Sequence, residues 1–212
     1  MILHRLVVGP STNCYILAPP TAGQAVVIDP GGEGGRILGI LKANALKVKY
    51  IINTHGHYDH IAADDELAQV TGAPIYIHAG DVGLLGKPEE NLSLLFFGNS
   101  FTLSSPVMEL GNDQILELKD LRLKVLHTPG HTPGSISILV GDNLFTGDLL
   151  FKGSVGRTDL PGSSYKALMG SLKKIATLPD SVKVYPGHGP ETILGEEKKH
   201  NPFLRGLCGK IN

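Results

Sequence analysis

Tryptophan is missing from this sequence and cysteine is scarce: Cys14 and Cys208 are the only two in 212 residues. One pair of cysteines builds no disulfide framework, so a reducing compartment, the cytoplasm, is the expected location. Charge of one sign is lacking too. Nineteen Lys and Arg face twenty Asp and Glu, for a net charge of -1. With no basic excess to neutralise phosphates, neither nucleic acid nor a membrane surface is expected as a partner. No apolar run reaches the roughly 18 residues of a membrane span. The opening stretch has no basic segment followed by a long apolar core, so no signal peptide is expected. What is present, 42% hydrophobic residues, suits a single domain over 1–212. The 27 glycines and 14 prolines imply many tight turns, and nine histidines are the first sign of chemistry.

Strands are predicted at Ile2 to Val8, Asn13 to Leu17 and Ala25 to Ile28, each rich in β-formers and bounded by Gly, Pro or Asp. Ile37, Leu38, Leu41 and Ala45 recur at helical spacing, which predicts a helix over 35–46. A buried strand at Lys49 to Asn53, one helix running on to about Val70, and a strand from Pro74 to His78 complete a β-α-β-α-β order. That order implies partly parallel pairing. Residues 79–112 show no clean period and read as a functional loop or lid. Strands return at Ile115 to Leu118, Leu121 to His127, Ser135 to Val140 and Asn143 to Phe145, with a hairpin turn at Gly141-Asp142. A second amphipathic helix over Leu168 to Ala176, a strand at Val182 to Tyr185 and a charged helical tail from Glu196 to Asn201 follow. Both halves run strands, helix, strand, a pattern compatible with an internal duplication.

His55-Gly56-His57-Tyr58-Asp59-His60 is the sharpest signal. In extended chain, side chains two apart share a direction, so His55 and His57 can grip one cation. Asp59 and His60 fall where the chain turns into a helix and can face a second. His131 in Thr128-Pro129-Gly130-His131-Thr132-Pro133-Gly134, Asp148 in Thr146-Gly147-Asp148 and His188 in Pro186-Gly187-His188-Gly189-Pro190 each follow a predicted strand, beside glycine. Sites form at strand ends in sheets covered by helices, so these loops are expected to converge. Five histidines and two aspartates divide into His55, His57 and His131 on one side and Asp59, His60 and His188 on the other, with Asp148 bridging. Imidazole and carboxylate ligands without thiolate suit two divalent metals, zinc first, with iron or manganese also compatible. His4, His78 and His200 lack such surroundings, and Cys14 reads as a buried structural thiol.

These motifs resemble the metallo-β-lactamase superfamily, and with Ile28-Asp29-Pro30-Gly31 ahead of them they span nearly the whole chain. The resemblance implies an α/β fold, a four-layer αβ/βα sandwich of two mixed sheets flanked by helices, with a dinuclear site at one edge. Asp29 is then either a carboxylate steadying a ligand histidine or a turn-forming residue before proline. Gly153-Ser154-Val155-Gly156-Arg157-Thr158-Asp159 and the His188 loop resemble the compact glyoxalase II-like (hydroxyacylglutathione hydrolase) branch. The Gly-Arg-Thr-Asp stretch is also similar to the persulfide dioxygenases, which use one iron. The chain runs only to Asn212 after His188. That leaves no room for the C-terminal helical domain with which full-length glyoxalase II grips glutathione.

The resemblance thus implies a metallo-hydrolase of acyl thioesters such as S-2-hydroxyacyl-glutathione, using a metal-bound hydroxide. An iron-dependent persulfide oxidation, or lactone and ester hydrolysis, is the alternative. Asp148 and Asp59 are the catalytic candidates, Asp59 either orienting the nucleophile or serving as ligand only. Tyr58 is a substrate contact or a packing residue. Arg157 clamps a substrate carboxylate or pairs internally with Asp159. A small-molecule thioester is the expected partner.

Overall fold

Runs of β-forming residues build the first strands of this computed structural model, which describes residues 1–21 and 23–208. β1 (Ile2–Val8), β2 (Thr12–Ala18) and β3 (Gln24–Ile28) form an antiparallel meander. Helix α1 (Gly34–Ala43) crosses over to β4 (Lys47–Ile52), which lies parallel to β3. Helices α2 (Tyr58–Ile61) and α3 (Asp64–Thr71) lead into β5 (Ile75–His78). A 3-10 turn at Ala79–Leu84 and a short helix α4 (Ser93–Phe97) precede β6 (Val107–Leu110), the last strand of a sheet ordered β1-β2-β3-β4-β5-β6.

The second sheet repeats the plan. After β7 (Ile115–Leu118), strands β8 (Leu121–His127), β9 (Ile136–Val140) and β10 (Asn143–Gly147) make another antiparallel meander. A small hairpin, β11 (Leu150–Phe151) with β12 (Ser154–Val155), and helix α5 (Tyr165–Ala176) then lead to β13 (Lys183–Pro186), parallel to β10. β14 (Thr192–Ile193) and helices α6 (Leu194–His200) and α7 (Pro202–Cys208) follow, and the sheet order is β14-β13-β10-β9-β8-β7. Meander, crossover helix and parallel strand therefore occur twice, as β1-β2-β3-α1-β4 and as β8-β9-β10-α5-β13. Among the described residues no helix is long and apolar enough to cross a membrane.

Strand alternation sorts the core into layers. Tyr15, Leu17, Val26 and Ile28 point inward to meet Val125, Ile138, Phe145 and Tyr185 between the sheets. Cys14, Ile16 and Val27 point outward onto Ile37, Leu41 and Leu67 of α1 and α3. On the far side Leu144 and Val184 pack on Leu168, Leu172 and Ile175 of α5. Helix, sheet, sheet, helix is the four-layer arrangement that the resemblance implies. Cys14 is a free thiol, and burial pushes its pKa well up, as a structural residue requires.

Three expectations change. The single helix expected to follow the His55–His60 run to about Val70 breaks at Ala62–Ala63, because the Ala63 amide donates to the Pro30 carbonyl, 2.9 Å away, instead of continuing α2. Residues 79–112 are not one loop: they hold the 3-10 turn, α4 and the four-residue β6, pieces too short to show a period. The hairpin β11–β12 and the two-residue β14 escape notice for the same reason.

Gly31 packs where a Cβ would overlap the Asp59 carbonyl oxygen and press on the Thr12 side chain. Gly31→Ala is expected to destabilise by about 1–3 kcal/mol, read as a lower midpoint in urea denaturation, because the Asp59 turn has to move.

Candidate metal centre

Strands β3, β4, β8, β10 and β13 all end at the same edge of the sandwich, and the turns beyond them carry the polar cluster. The edge is closed by backbone pairing between the sheets. The Asn13 amide donates to Gly187 O at 2.7 Å and the Ile136 amide to Thr54 O at 2.8 Å, while within the second sheet the Gly187 amide donates to Gly147 O at 2.8 Å. Asn13 Nδ2 donates to Pro186 O and Gly189 O, and the Tyr15 hydroxyl to Pro186 O. The loop bearing His188 is thereby fixed to β2. Gly187 must lack a side chain, since a Cβ there would strike Asp148 Oδ1 and the His60 ring.

All seven expected ligand side chains are brought together. Their donor atoms fall into three groups, each within 4.8 Å: His55, His57 and His131; Asp59, His60 and His188; and His55, His60 and Asp148. The first two are the two halves that the sequence motifs imply. Asp148 lies between them, its Oδ2 3.5 Å from both His131 Nε2 and His188 Nε2 and its Oδ1 3.5 Å from His60 Nε2. Asp59 Oδ2 lies 3.2 Å from His188 Nε2.

Hydrogen bonds behind the rings decide which nitrogen each presents. A carbonyl only accepts, so His131 Nδ1 must donate to Arg157 O (2.9 Å) and His188 Nδ1 to Ser11 O (3.1 Å). His60 Nδ1 donates to Asp29 Oδ2 at 3.0 Å. The Thr54 hydroxyl donates to Asp29 Oδ2 at 2.7 Å, so its oxygen is left to accept from His55 Nδ1, 3.1 Å away. The Thr54 amide occupies Asp29 Oδ1 at 2.7 Å. Asp29, with φ at 51°, is thus the carboxylate that orients two imidazoles, one directly and one through Thr54. His57 is the exception: its Nδ1 lies 3.0 Å from His131 Nε2.

Burial pushes the pKa values of His55 and His57 well down, and the neighbouring imidazoles push the same way. At His60 burial also opposes charge, but Asp59, Asp29 and Asp148 outweigh it and hold the pKa up at about 10. His188 is raised, its hydrogen bond to Asp59 and the Asp148 charge overcoming burial. Asp59 is held far below the usual carboxylate range, because His60 and His188 outweigh its burial. His55 Nε2 and Asp148 Oδ1 are buried with no hydrogen-bond partner. Lone pairs gathered in this way, with two of the atoms buried and unpaired by hydrogen bonds, fit a cation between them. The residues present fit the metals that the motifs imply.

The side chains expected to contact substrate fall differently. Arg157 makes two hydrogen bonds to Asp159, from Nε at 2.7 Å and from an η-nitrogen at 2.8 Å, and its guanidinium stands 5.6 Å from the Phe96 ring centroid. Internal pairing is therefore what the structure shows, at the rim of a cleft also lined by His57, Asp59, His131, Asp148, Leu92, Phe96, Phe97 and Leu160. Tyr58 is turned away from that cleft. Its ring packs on Phe97 and Phe101 at 5.0 and 5.1 Å, and its hydroxyl accepts from Asn99 Nδ2.

Sequence reasoning missed Asp81. Its buried carboxylate accepts from the Gly56 amide (2.9 Å), the Thr132 hydroxyl (2.6 Å) and the Gly134 amide (2.5 Å), tying the loop of His55 and His57 to the loop of His131. The signal was available, since Gly80-Asp81 also follows a strand end.

Comparison with known proteins now bears on the geometry. The family profile of the metallo-beta-lactamase superfamily matches residues 7–188. The chain belongs to the metallo-beta-lactamase superfamily. Within this superfamily it is 38% identical over 208 residues to the probable metallo-hydrolase YqgX of Bacillus subtilis, covering 96% of this chain and 98% of the relative. It is 36% identical over 185 residues to the hydroxyacylglutathione hydrolase GloC of Haemophilus influenzae, covering 85% and 87%. Among solved structures, TTHA1623 in a di-iron-bound form superposes with a TM-score of 0.85 at 37% identity, covering 95% and 100%. ETHE1 from Myxococcus xanthus superposes with a TM-score of 0.81 at 33% identity, covering 97% and 85%. The B3 metallo-beta-lactamase BLEG-1 reaches a TM-score of 0.91 at 38% identity, covering 96% and 99%.

Two outcomes follow for this superfamily member. Asp81→Ala strands three buried donors, and unfolding in urea is expected to show a loss of about 2–3 kcal/mol, with Asp81→Asn losing less. In the metal-free chain His60 rises from an ordinary 6.5 to about 10. Its stabilisation is complete below pH 6.5 and is lost as pH climbs through 10. Zinc must displace that proton, so binding titrations at pH 7–9 in buffers of different ionisation heat are expected to show proton release, with apparent affinity rising with pH.

Proposed function

We propose that the chain is a metal-dependent hydrolase of acyl thioesters, with two divalent cations held by His55, His57 and His131 and by Asp59, His60 and His188, and with Asp148 shared. The observation that carries this reading is the convergence of five imidazoles and two carboxylates, free of thiolate, with His57, Asp59, His131 and Asp148 forming the floor of an open cleft. The likeness to the hydroxyacylglutathione hydrolase GloC supports the thioester. When bound, the cations supply acidified water as nucleophile and positive charge for a carbonyl oxygen. The chain's own residues do the rest. Asp59, kept ionised by His60 and His188, accepts a hydrogen bond from the Thr12 hydroxyl at 3.0 Å and offers its carboxylate to the cleft. Asp148 keeps the two halves in register. The leaving thiolate, whose pKa lies near ~8.5, needs no strong acid. Zinc is the first candidate metal; the di-iron form of TTHA1623 supports iron equally.

One observation favours a second reading. His57, His131 and Asp148 form a two-histidine, one-carboxylate set of the kind that binds a single reactive iron. Oxidation of a persulfide would then replace hydrolysis.

Elemental analysis of the purified protein, paired with S-lactoylglutathione hydrolysis and with oxygen uptake on glutathione persulfide, separates the two. About two metals per chain with thioester cleavage is expected; one iron with oxygen uptake overturns the hydrolase. Asp148→Ala is expected to lose at least one metal equivalent and to reduce kcat by a factor on the order of 10^3. Full occupancy with retained turnover would refute the shared position of Asp148.

A further inference from the structure

Helix α4 sets Leu94, Leu95, Phe96 and Phe97 in solvent, at exposures of 46%, 63%, 51% and 39%. Four consecutive large apolar side chains left in water have no role in holding cations, and apolar patches beside a cleft mark contact surfaces. The chain holds them firmly in place. Leu92 and Gly98 at the two ends are both left-handed, with φ of 69° and 60°. The buried Asn91 side chain accepts from the Ser93 amide and donates to Phe101 O, while its own carbonyl accepts from the Tyr58 amide at 2.8 Å. Tyr58 thus bolts α4 to the loop that carries His57 and Asp59.

The patch is continuous with the cluster. Leu92, Phe96 and Phe97 wall a cavity of about 180 Å3 whose floor is His57, Asp59, His131 and Asp148, and Leu160 faces them across it. The polar floor suits a carbonyl, and the apolar wall suits hydrocarbon attached to it. Arg157 closes the rim, but Asp159 already neutralises its charge, so it demands no acidic acyl group. A polar thiol carrier would leave the wall uncovered and therefore runs out the other way.

We propose that α4 is an acyl-chain subsite: Phe96 and Phe97 receive a linear aliphatic acyl group whose thioester carbonyl lies over the His and Asp cluster. This inference rests on the hydrolase reading and narrows its substrate to acyl groups more apolar than lactoyl.

The test uses full-length, metal-loaded protein with acetyl, butyryl, hexanoyl and octanoyl thioesters of N-acetylcysteamine. In the unmodified chain kcat/KM is expected to rise about fourfold per methylene up to hexanoyl. In the Phe96→Ala/Phe97→Ala variant, checked for folding by its thermal melt, the rise is expected to shrink to roughly twofold per methylene or less. A flat series in the unmodified chain, or an equally steep one in the variant, overturns the proposal. Sedimentation of both proteins covers the competing occupant. If the substitutions turn a dimer into a monomer and leave the slope intact, the patch belongs to a second copy and the subsite is refuted. Calorimetry with acetate, butyrate, hexanoate and octanoate reads the wall without catalysis. Tightening with chain length in the unmodified chain alone supports the subsite even if every thioester resists hydrolysis, in which case only the hydrolase reading fails; no dependence on length refutes the wall itself.

Discussion

Five imidazoles and two carboxylates in one buried pocket repel, desolvate and compete for protons, and left to themselves they would disperse. Everything at this edge of the sandwich counters that tendency from behind. Asp29 turns His60 directly and His55 through Thr54. The Arg157 and Ser11 carbonyls fix the protonated faces of His131 and His188, and Asp81 joins the loop of His55 and His57 to that of His131. Four of the five rings are anchored through Nδ1, which leaves Nε2 for the cluster, while His57 presents the opposite nitrogen. The tautomers are therefore set by the scaffold, and the site is assembled as the two sheets close.

The repeated meander and crossover explains how a chain of modest length supplies so many anchors. Each half ends a crossover strand, β4 or β13, at the same edge, and each places a carboxylate just past the middle strand of the sheet: Asp29 after β3 and Asp148 after β10. The two differ in task. Asp29 spends its oxygens on Thr54 and His60, whereas Asp148 keeps Oδ1 without a partner and faces three imidazoles. One became support and the other stayed available.

How much of this was legible in the amino-acid sequence depended on the length over which a signal repeats. The long strands β1 and β2 are runs of β-formers between turn residues, β8 and helix α5 carry clear periods, and the His55 to His60 run states its own chemistry through the alternation of an extended chain. His131, Asp148 and His188 were found by position, each one step past a strand. Asp81 obeys the same rule but was passed over, because a lone acid after Gly80 resembles a turn residue until its three donors are seen. α4 was illegible for a different reason. Ser93 and four apolar residues between left-handed ends have no polar face to set a period, so the run reads as irregular loop.

Tyr58 shows why a residue's place between ligands does not fix its role. On the first half-turn of a helix its side chain projects to the side opposite the ligand pair, so it cannot reach what His57 and Asp59 reach. It meets Phe97 and Phe101 instead, and its amide holds Asn91. The same six-residue motif therefore builds two surfaces at once: a polar floor through its histidines and aspartate, and the footing of an apolar wall through the tyrosine. A displacement of α2 would disturb both together. Coupling of that kind makes the wall part of the site's own construction, because the Tyr58 amide and ring join the segment of α4 directly to the loop that carries the ligands.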